Sequence, residues 1–400
     1  MRTPIIFLFV VLLFGTPCCN AQQSKMLQLK EAGETQGAAA RIDAYKPYLI
    51  GKKVGVVANQ SSLVYNVHLI DTLLTHNIKI VKIFTPEHGF KGTADAGALI
   101  KNSTNTKTAL PIVSLYGNNK KPTADDLKGI DILLFDLQDV GVRFYTYIST
   151  LTYVMEACAE QNIPVIVLDR PNPNGYYIDG PILEPQHRSF VGLHAVPIVY
   201  GLTIGEYSLM VNGEGWLENN LKCALTVIPM TDYDRYTIDK FPVSPSPNLP
   251  NYESIYLYPS LCLFEGTVLS VGRGTDFPFQ VFGHPNLKTY DFSFVPQQKQ
   301  GASKPKFEGE RCYGLDLRTY ACNFQNNKPY ELQLDWLLDA YKAMNENSFF
   351  LNYFEKLTGT SALRKQIESG ATSEQIRESW QKGLDAYKKI RIKYLLYPDL

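Results

Sequence analysis

The sequence predicts an α/β protein with a Rossmann-like, mostly parallel sheet over residues 45–230 and a smaller α+β domain over residues 231–400. Three observations predict this. Short apolar runs rich in β-branched residues recur through the first half, each ending in a polar cluster, as buried parallel strands do. Stretches with apolar residues at helical spacing lie between them, the alternation that builds βαβ units. The pattern then breaks at Pro242, Pro245, Pro247 and Pro250, after which strand and helix signals no longer alternate.

Taken in order, the first strand covers 54–58 and ends in Asn59, Gln60, Ser61 and Ser62. Residues 67–76 follow as a helix, with Leu69, Ile70, Leu73 and Leu74 on one face. The run 80–84 is the second strand; Pro86 breaks it, and Glu87, His88 and Gly89 come next. Residues 91–107, rich in Gly, Asn and Thr, read as a long loop over the rim. A short strand at 111–115, a helical turn at 124–128 and a strand at 130–137 lead to Gln138 and Asp139. Residues 149–161 are helical, with Leu151, Val154, Met155 and Cys158 at helical spacing, and 164–168 is the next strand, closed by the turn-rich 171–175. Thr203-Ile204-Gly205-Glu206 fits a capping box and starts a helix to about 217; 225–230 is the last strand. Beyond the prolines, 331–345 and 373–396 carry apolar helical faces. If the strands share one sheet, their polar ends converge on one rim, where parallel α/β sheets bind ligands.

A chain of 400 residues allows two domains and a sizeable core. Lys plus Arg and Asp plus Glu are both 39, so the formal charge is zero. There is no basic run for nucleic acid, and nothing in the charge balance suggests a general polyanion binder. An anionic ligand must be met by individually placed arginines. Arg2, the apolar residues 5–14 and Cys19-Asn20-Ala21 have the shape of a cleaved signal peptide over 1–21, which predicts secretion across the inner membrane to the periplasm. A lipid anchor at Cys18 or Cys19 is the alternative, and would be the one tie to a membrane. Residues 22–44 read as a polar linker with at most one helix. Cys158, Cys223, Cys262, Cys312 and Cys322 remain, an odd set with no CxxC; buried free thiols are expected before a Cys312–Cys322 bridge, and no zinc site.

Glu87-His88 sits where a strand opens into a loop. Partial desolvation there raises a carboxyl pKa and suits a general acid, although the same dipeptide also fits a loop ion pair. Asp136, Gln138, Asp139, Arg143, Tyr145 and Tyr147 leave a second strand end. Arg143 suits a bidentate hold on a carboxylate; the plainer reading is that Asp136 caps a turn and Arg143 neutralises Asp139. Glu265 and Arg273 stand in Gly-rich stretches of the second domain, and if that domain folds over the rim Glu265 faces Glu87 across a cleft. No GxGxxG follows the first strand, so no dinucleotide is expected, and neither GxSxG nor a Walker A sequence occurs. His88 with Asp136 and Asp139 matches no standard metal-ligand spacing.

Seven motifs, at 58–61, 86–90, 135–147, 168–173, 246–250, 264–267 and 272–275, follow one another in a fixed order. Together they resemble the exo-β-N-acetylmuramidase (NamZ-type) family of bacterial glycoside hydrolases, once catalogued as a domain of unknown function. The resemblance spans residue 45 to the C-terminus. It implies two domains with a site in the cleft between them, release of N-acetylmuramic acid from the non-reducing ends of peptidoglycan fragments in cell-wall turnover or recycling, and no cofactor. Glycoside hydrolysis needs one carboxyl group to protonate the leaving oxygen and a second group as nucleophile or base, across an oxocarbenium-like transition state. On this reading Glu87 is the acid, oriented or tuned by His88. Asp136, Asp139 and Glu265 compete for the second role, with participation by the substrate's own acetamido group a further alternative. Arg143 or Arg273 meets the lactyl carboxylate of muramic acid; Asn59, Gln60 and Asn172 bind sugar hydroxyls; Tyr145 or Tyr147 packs on the ring. A non-catalytic periplasmic binding protein for amino-sugar fragments would present a similar cleft. An esterase or amidase acting on wall fragments is a third reading, against which the missing nucleophile elbow weighs.

Overall fold

Seven strands make the central sheet: β1 (Val54–Ala58), β2 (Ile80–Thr85), β3 (Ser103–Thr104), β4 (Pro111–Ser114), β5 (Ile132–Asp136), β6 (Val165–Leu168) and β7 (Leu225–Ile228). A computed structural model describes residues 28–30, 37–95, 97–98, 101–239, 241–322, 330–344 and 348–399. The leader and lipid-anchor readings on residues 1–21 lie outside the described residues.

The strand order is β7-β6-β5-β1-β2-β4-β3, and every neighbouring pair is parallel except β3 with β4. The chain builds outward from β1 to β4, then returns to the other side of β1 to lay down β5, β6 and β7. The crevice left by such a reversal lies at the carboxyl ends of the strands. β1, β5 and β6 are buried along their whole length, which is why they read as unbroken apolar runs.

Among the described residues, five α-helices serve this half: α1 (Ile42–Leu49), α2 (Leu69–Thr75), α3 (Ala124–Leu127), α4 (Tyr147–Glu160) and α5 (Ile204–Gly213). The capping box at Thr203 forms as expected: its hydroxyl accepts from the Glu206 N–H while the Glu206 carboxylate accepts from the Thr203 N–H. Residues 37–44 are not a linker. Ala38 donates to the Asp169 carbonyl at 3.1 Å, and the fully buried Tyr45 donates to the Ala39 carbonyl at 2.7 Å. A run of small residues such as Ala38-Ala39-Ala40 carries no periodicity, so its burial leaves no trace in the sequence pattern.

The second half holds a three-stranded antiparallel sheet, β8 (Val281–His284), β9 (Phe292–Phe294) and β10 (Cys312–Asp316) in the order β8-β10-β9. Among the described residues, six helices accompany it: α6 (Tyr252–Leu261), α7 (Arg318–Cys322), α8 (Asp335–Met344), α9 (Phe354–Thr358), α10 (Ala362–Glu368) and α11 (Ser373–Arg391). Of these, only α8 and α11 have amphipathic stretches long enough to be read from sequence. The expected free thiols are found, but Cys322 is exposed while the other four are buried.

The apolar interior does not divide at residue 230. One face of the sheet packs Val54, Val56 and Ala58 against Leu69 and Leu73 of α2. The other face carries Val57, Phe84 and Phe135 into a core continuous with Phe264, Leu337 and Tyr387 of the second half. The C-terminal segment returns to the first half: Tyr387 donates to the Tyr200 carbonyl at 2.7 Å, and Tyr397 to the buried Asp169 carboxylate at 2.5 Å. The proline-rich segment 241–251 forms no helix or strand, as its composition requires, and its carbonyls become acceptors for side chains of the first half.

Candidate active site

At the end of β2 the chain turns sharply. His88 and Gly89 are both left-handed, at φ 69° and 76°, and the loop is closed by Ala94 donating to the His88 carbonyl at 3.2 Å. The turn leaves Glu87 projecting into a cavity of about 210 Å³ over the rim. Tyr116 after β4 and Phe144, Tyr145 and Thr146 after β5 supply one side of that cavity. Ser246 and Asn248 of the proline-rich segment and Glu265 and Arg273 of the second half supply the other. Glu87 and Glu265 therefore share one cavity, as expected if the second half covers the rim.

Glu87 is half-buried and held at both oxygens. Oε1 accepts from the Gly97 N–H at 3.0 Å and Oε2 from the Thr146 hydroxyl at 3.0 Å. Tyr116 also hydrogen-bonds this carboxylate, and burial together with that charge holds its phenol protonated, well above the ordinary range. His88 lies behind Glu87 rather than on it. Its Nδ1 meets the Ala94 carbonyl at 2.7 Å and its Nε2 the Ser246 hydroxyl at 3.1 Å. Burial lowers its pKa below the usual 6.5, so the ring is neutral near pH 7.

Glu265 comes from the 3₁₀ turn Cys262–Gly266 that continues α6. A Cβ on Gly266 would lie 2.5 Å from the Cα of Phe354, so only glycine lets α9 approach the turn that carries Glu265. Arg273 grips both Glu265 oxygens, Nε to Oε1 at 2.6 Å and Nη2 to Oε2 at 2.9 Å, with its guanidinium 4.9 Å from the Phe279 ring. Burial pushes the Glu265 carboxyl up, but the Arg273 charge, its hydrogen bonds and the nearby Lys306 outweigh this and hold it below the usual carboxylate range. Lys306 is fixed by the carbonyls of Thr267 at 2.7 Å and Leu269 at 3.2 Å. Among the described residues no group of three or more His, Cys, Asp or Glu side chains is placed to hold a metal.

Several predicted site residues lie elsewhere. Asp136 is fully buried in a bidentate pair with Arg170 at 2.6 and 2.7 Å, behind the cavity. Asp139 is buried too: Oδ2 accepts from the Gly141 N–H at 2.7 Å and from Tyr200, while Oδ1 has no partner. Burial, only partly offset by these bonds, raises its pKa to about 6. Arg143 neither neutralises Asp139 nor reaches the cavity. Completely buried, it donates to the carbonyls of Pro181, Val196, Leu357 and Thr358 at 2.7–3.0 Å, and desolvation lowers its pKa to about 9.

Asn59 is a buried junction between Tyr147, Ser61 and Ser62. Gln60 donates to the carbonyls of Ser244 and Pro245, both at 3.1 Å. Asn172 bonds the Leu202 carbonyl at 2.8 Å and the Asn174 N–H at 2.8 Å. None of Asp136, Asp139, Arg143, Asn59, Gln60 and Asn172 lines the cavity. Tyr145 does line it and donates to the Pro245 carbonyl at 2.9 Å; Tyr147 packs edge-on behind it, ring centroids 4.7 Å apart. The sequence reading missed Tyr116, Thr146 and Tyr353. Tyr116 was open to discovery, since it stands just past a strand end like the other rim residues.

A rim cavity at the carboxyl ends of parallel strands, walled by tyrosines and holding two carboxylates from separate segments, defines a protein built for polar, saccharide-like ligands with carboxylate chemistry at hand. The comparisons agree. The family models "Exo-beta-N-acetylmuramidase NamZ, N-terminal" and "C-terminal" match residues 54–253 and 256–397. The peptidoglycan beta-N-acetylmuramidase NamZ of Bacillus subtilis (strain 168) is 37% identical over 424 residues, covering 99% of this chain and 100% of its own. Crystal structures of two DUF1343 family proteins from Bacteroides fragilis NCTC 9343 share the fold. One has a TM-score of 0.84 at 43% identity over 92% of this chain and 100% of its own; the other 0.76 at 28% over 91% and 99%. The chain belongs to the exo-β-N-acetylmuramidase NamZ family.

Proposed function

We propose that this protein is an exo-acting glycoside hydrolase that releases N-acetylmuramic acid from the non-reducing ends of peptidoglycan fragments. The observation that carries the site assignment is the pair of carboxylates in one cavity, Glu87 projecting into it from the end of β2 and Glu265 held ionised by Arg273. Glu87 protonates the leaving oxygen, aimed by the Gly97 N–H and the Thr146 hydroxyl. Glu265 takes the second role, facing the positive charge that develops on the sugar. Asp136 and Asp139 drop out because both are sealed away from the cavity. Arg273, the one cation among the described residues lining the cavity, meets the lactyl carboxylate while sharing its guanidinium with Glu265. Tyr145 and Tyr116 flank the sugar ring.

The signal-like residues 1–21 support a periplasmic site of action, and the reversal of strand order beside β1 supports describing the sheet as Rossmann-like. The test is release of free N-acetylmuramic acid from a chromogenic β-N-acetylmuramide and from a peptide-free muramyl disaccharide. Steady release of that one sugar is expected. Tight sugar binding without turnover would overturn the enzyme reading in favour of a binding protein.

A further inference from the structure

Two cavities border the Tyr116–Phe190 ring pair, one lined by each ring. The active-site cavity reaches Tyr116 and Val191. A second and larger one, about 520 Å³, is lined by Phe190 itself and takes no part in the chemistry above. The Tyr116 and Phe190 ring centroids are 6.1 Å apart, so one aromatic pair links the two. The outer cavity is rich in flat apolar faces. Tyr153 and Phe190 lie nearly parallel, 15° apart at 6.0 Å, and Trp216 stacks on His194 at 5.4 Å. Each pair covers one face of each ring, so a pyranose C–H face can pack only on the outward faces that line the cavity.

The charges in the outer cavity are sorted by side. Glu156 and Glu218 line it, and both are answered by Lys121, at 3.3 and 3.5 Å. Lys120 instead sits 4.8 Å from the Phe190 ring, and the exposed Arg188 has no carboxylate partner among the described residues. Two cations are thus left facing the cavity beside the aromatic stack. Asn219 and Asn220, both left-handed at φ 55°, bring carboxamides to the same wall.

We propose that this outer cavity is an aglycone subsite. It holds the saccharide on the leaving-group side of the scissile bond, and Arg188 and Lys120 engage the carboxylate of the next acidic amino sugar along the chain. The inference rests on the glycosidase reading and deepens it. The inner cavity has room for about one sugar residue, so the departing saccharide must lie outside it, and the adjoining cavity is large enough for a ligand of that class.

The experiment compares kcat/KM on a chromogenic β-N-acetylmuramide, which carries no sugar in the leaving group, with kcat/KM on a peptide-free muramyl tetrasaccharide. Wild type, Arg188→Gln and Lys120→Gln are measured on both. The ratio of tetrasaccharide to chromogenic kcat/KM is expected to fall about tenfold in Arg188→Gln, mostly through KM, and less in Lys120→Gln. A ratio unchanged in both variants overturns the subsite while leaving the glycosidase reading intact. Absence of turnover on both substrates by the wild type would instead strike the glycosidase reading itself. Tyr153→Leu, which removes the aromatic stack without touching charge, should lower the ratio too; no change there would argue against sugar packing in this cavity.

Discussion

The loops after β2 and after β5 look alike in sequence and do opposite work. Each leaves a buried strand with carboxylates at its tip and aromatic residues close behind. After β2, two consecutive left-handed residues throw Glu87 outward, and its oxygens are held by groups that line the same cavity. After β5, Asp136 is cancelled by Arg170, Asp139 is enclosed, and Arg143 spends its guanidinium on four backbone carbonyls. The first loop presents its carboxylate to the cavity; the second consumes its charge to fasten the two halves together, since Leu357 and Thr358 lie far along the chain from Pro181 and Val196. A dense polar motif marks a place where the chain is constrained. Whether the constraint is chemical or architectural is decided by what covers the side chains.

The sharpest test of this contrast is Glu87→Gln. An uncharged isostere keeps one acceptor oxygen for the Gly97 N–H, sets its NH2 against the Thr146 hydroxyl, which can turn to accept, and removes the transferable proton, so activity should fall by roughly 10²–10⁴-fold with little change in thermal midpoint. Similar rates in mutant and wild type would move the acid elsewhere. Arg143→Met should do the reverse. It strands four buried carbonyls, and unfolding titrations should show a loss of about 3–5 kcal/mol, with activity lost only in step with folded protein. A stable but inactive Arg143→Met would break the comparison, because it would return Arg143 to the site.

Arg273→Gln should have a smaller and more specific effect. With the guanidinium gone, burial is no longer outweighed, and the Glu265 carboxyl must rise. The acid limb of the kcat/KM–pH profile should therefore move to higher pH. An unmoved limb would mean that Glu265 does not act as an ionised group in the reaction.

The sheet was legible from sequence because β1, β5 and β6 are buried on both faces and must be apolar throughout. Glu87, Glu265 and Arg273 were legible as candidates because each sits beside a break in regular structure. The roles proposed for Asp136, Arg143, Asn59 and Asn172 were not separable from theirs, since burial of a polar side chain depends on partners distant in sequence: Arg170, Pro181, Tyr147 and Leu202. The shared core was hidden for the same reason. A boundary at 230 follows composition, whereas Tyr387 and Tyr397 cross it to bond Tyr200 and Asp169.

The smallest expected effect concerns the enclosed carboxylate of the β5 loop. Asp139 has its pKa raised by burial to about 6 in the folded protein, against about 3.9 in an unfolded chain. Between those values the folded state binds more protons than the unfolded one. Its contribution is therefore fully present below about pH 4 and is lost as pH rises through about 6. Asp169, raised to about 7 by burial, acts in the same direction, while His88 and His194, lowered by burial, act in the opposite one as pH falls below 6.5. The raw pH profile of stability thus mixes signs, and the informative quantity is the difference between wild type and Asp139→Asn. The variant's thermal midpoint should gain on the wild type by ~2–5 °C between pH 4 and pH 7 and then hold level. A difference independent of pH would mean that Asp139 is ionised throughout, with a partner for Oδ1, and that the β5 loop is less tightly closed than its contacts imply.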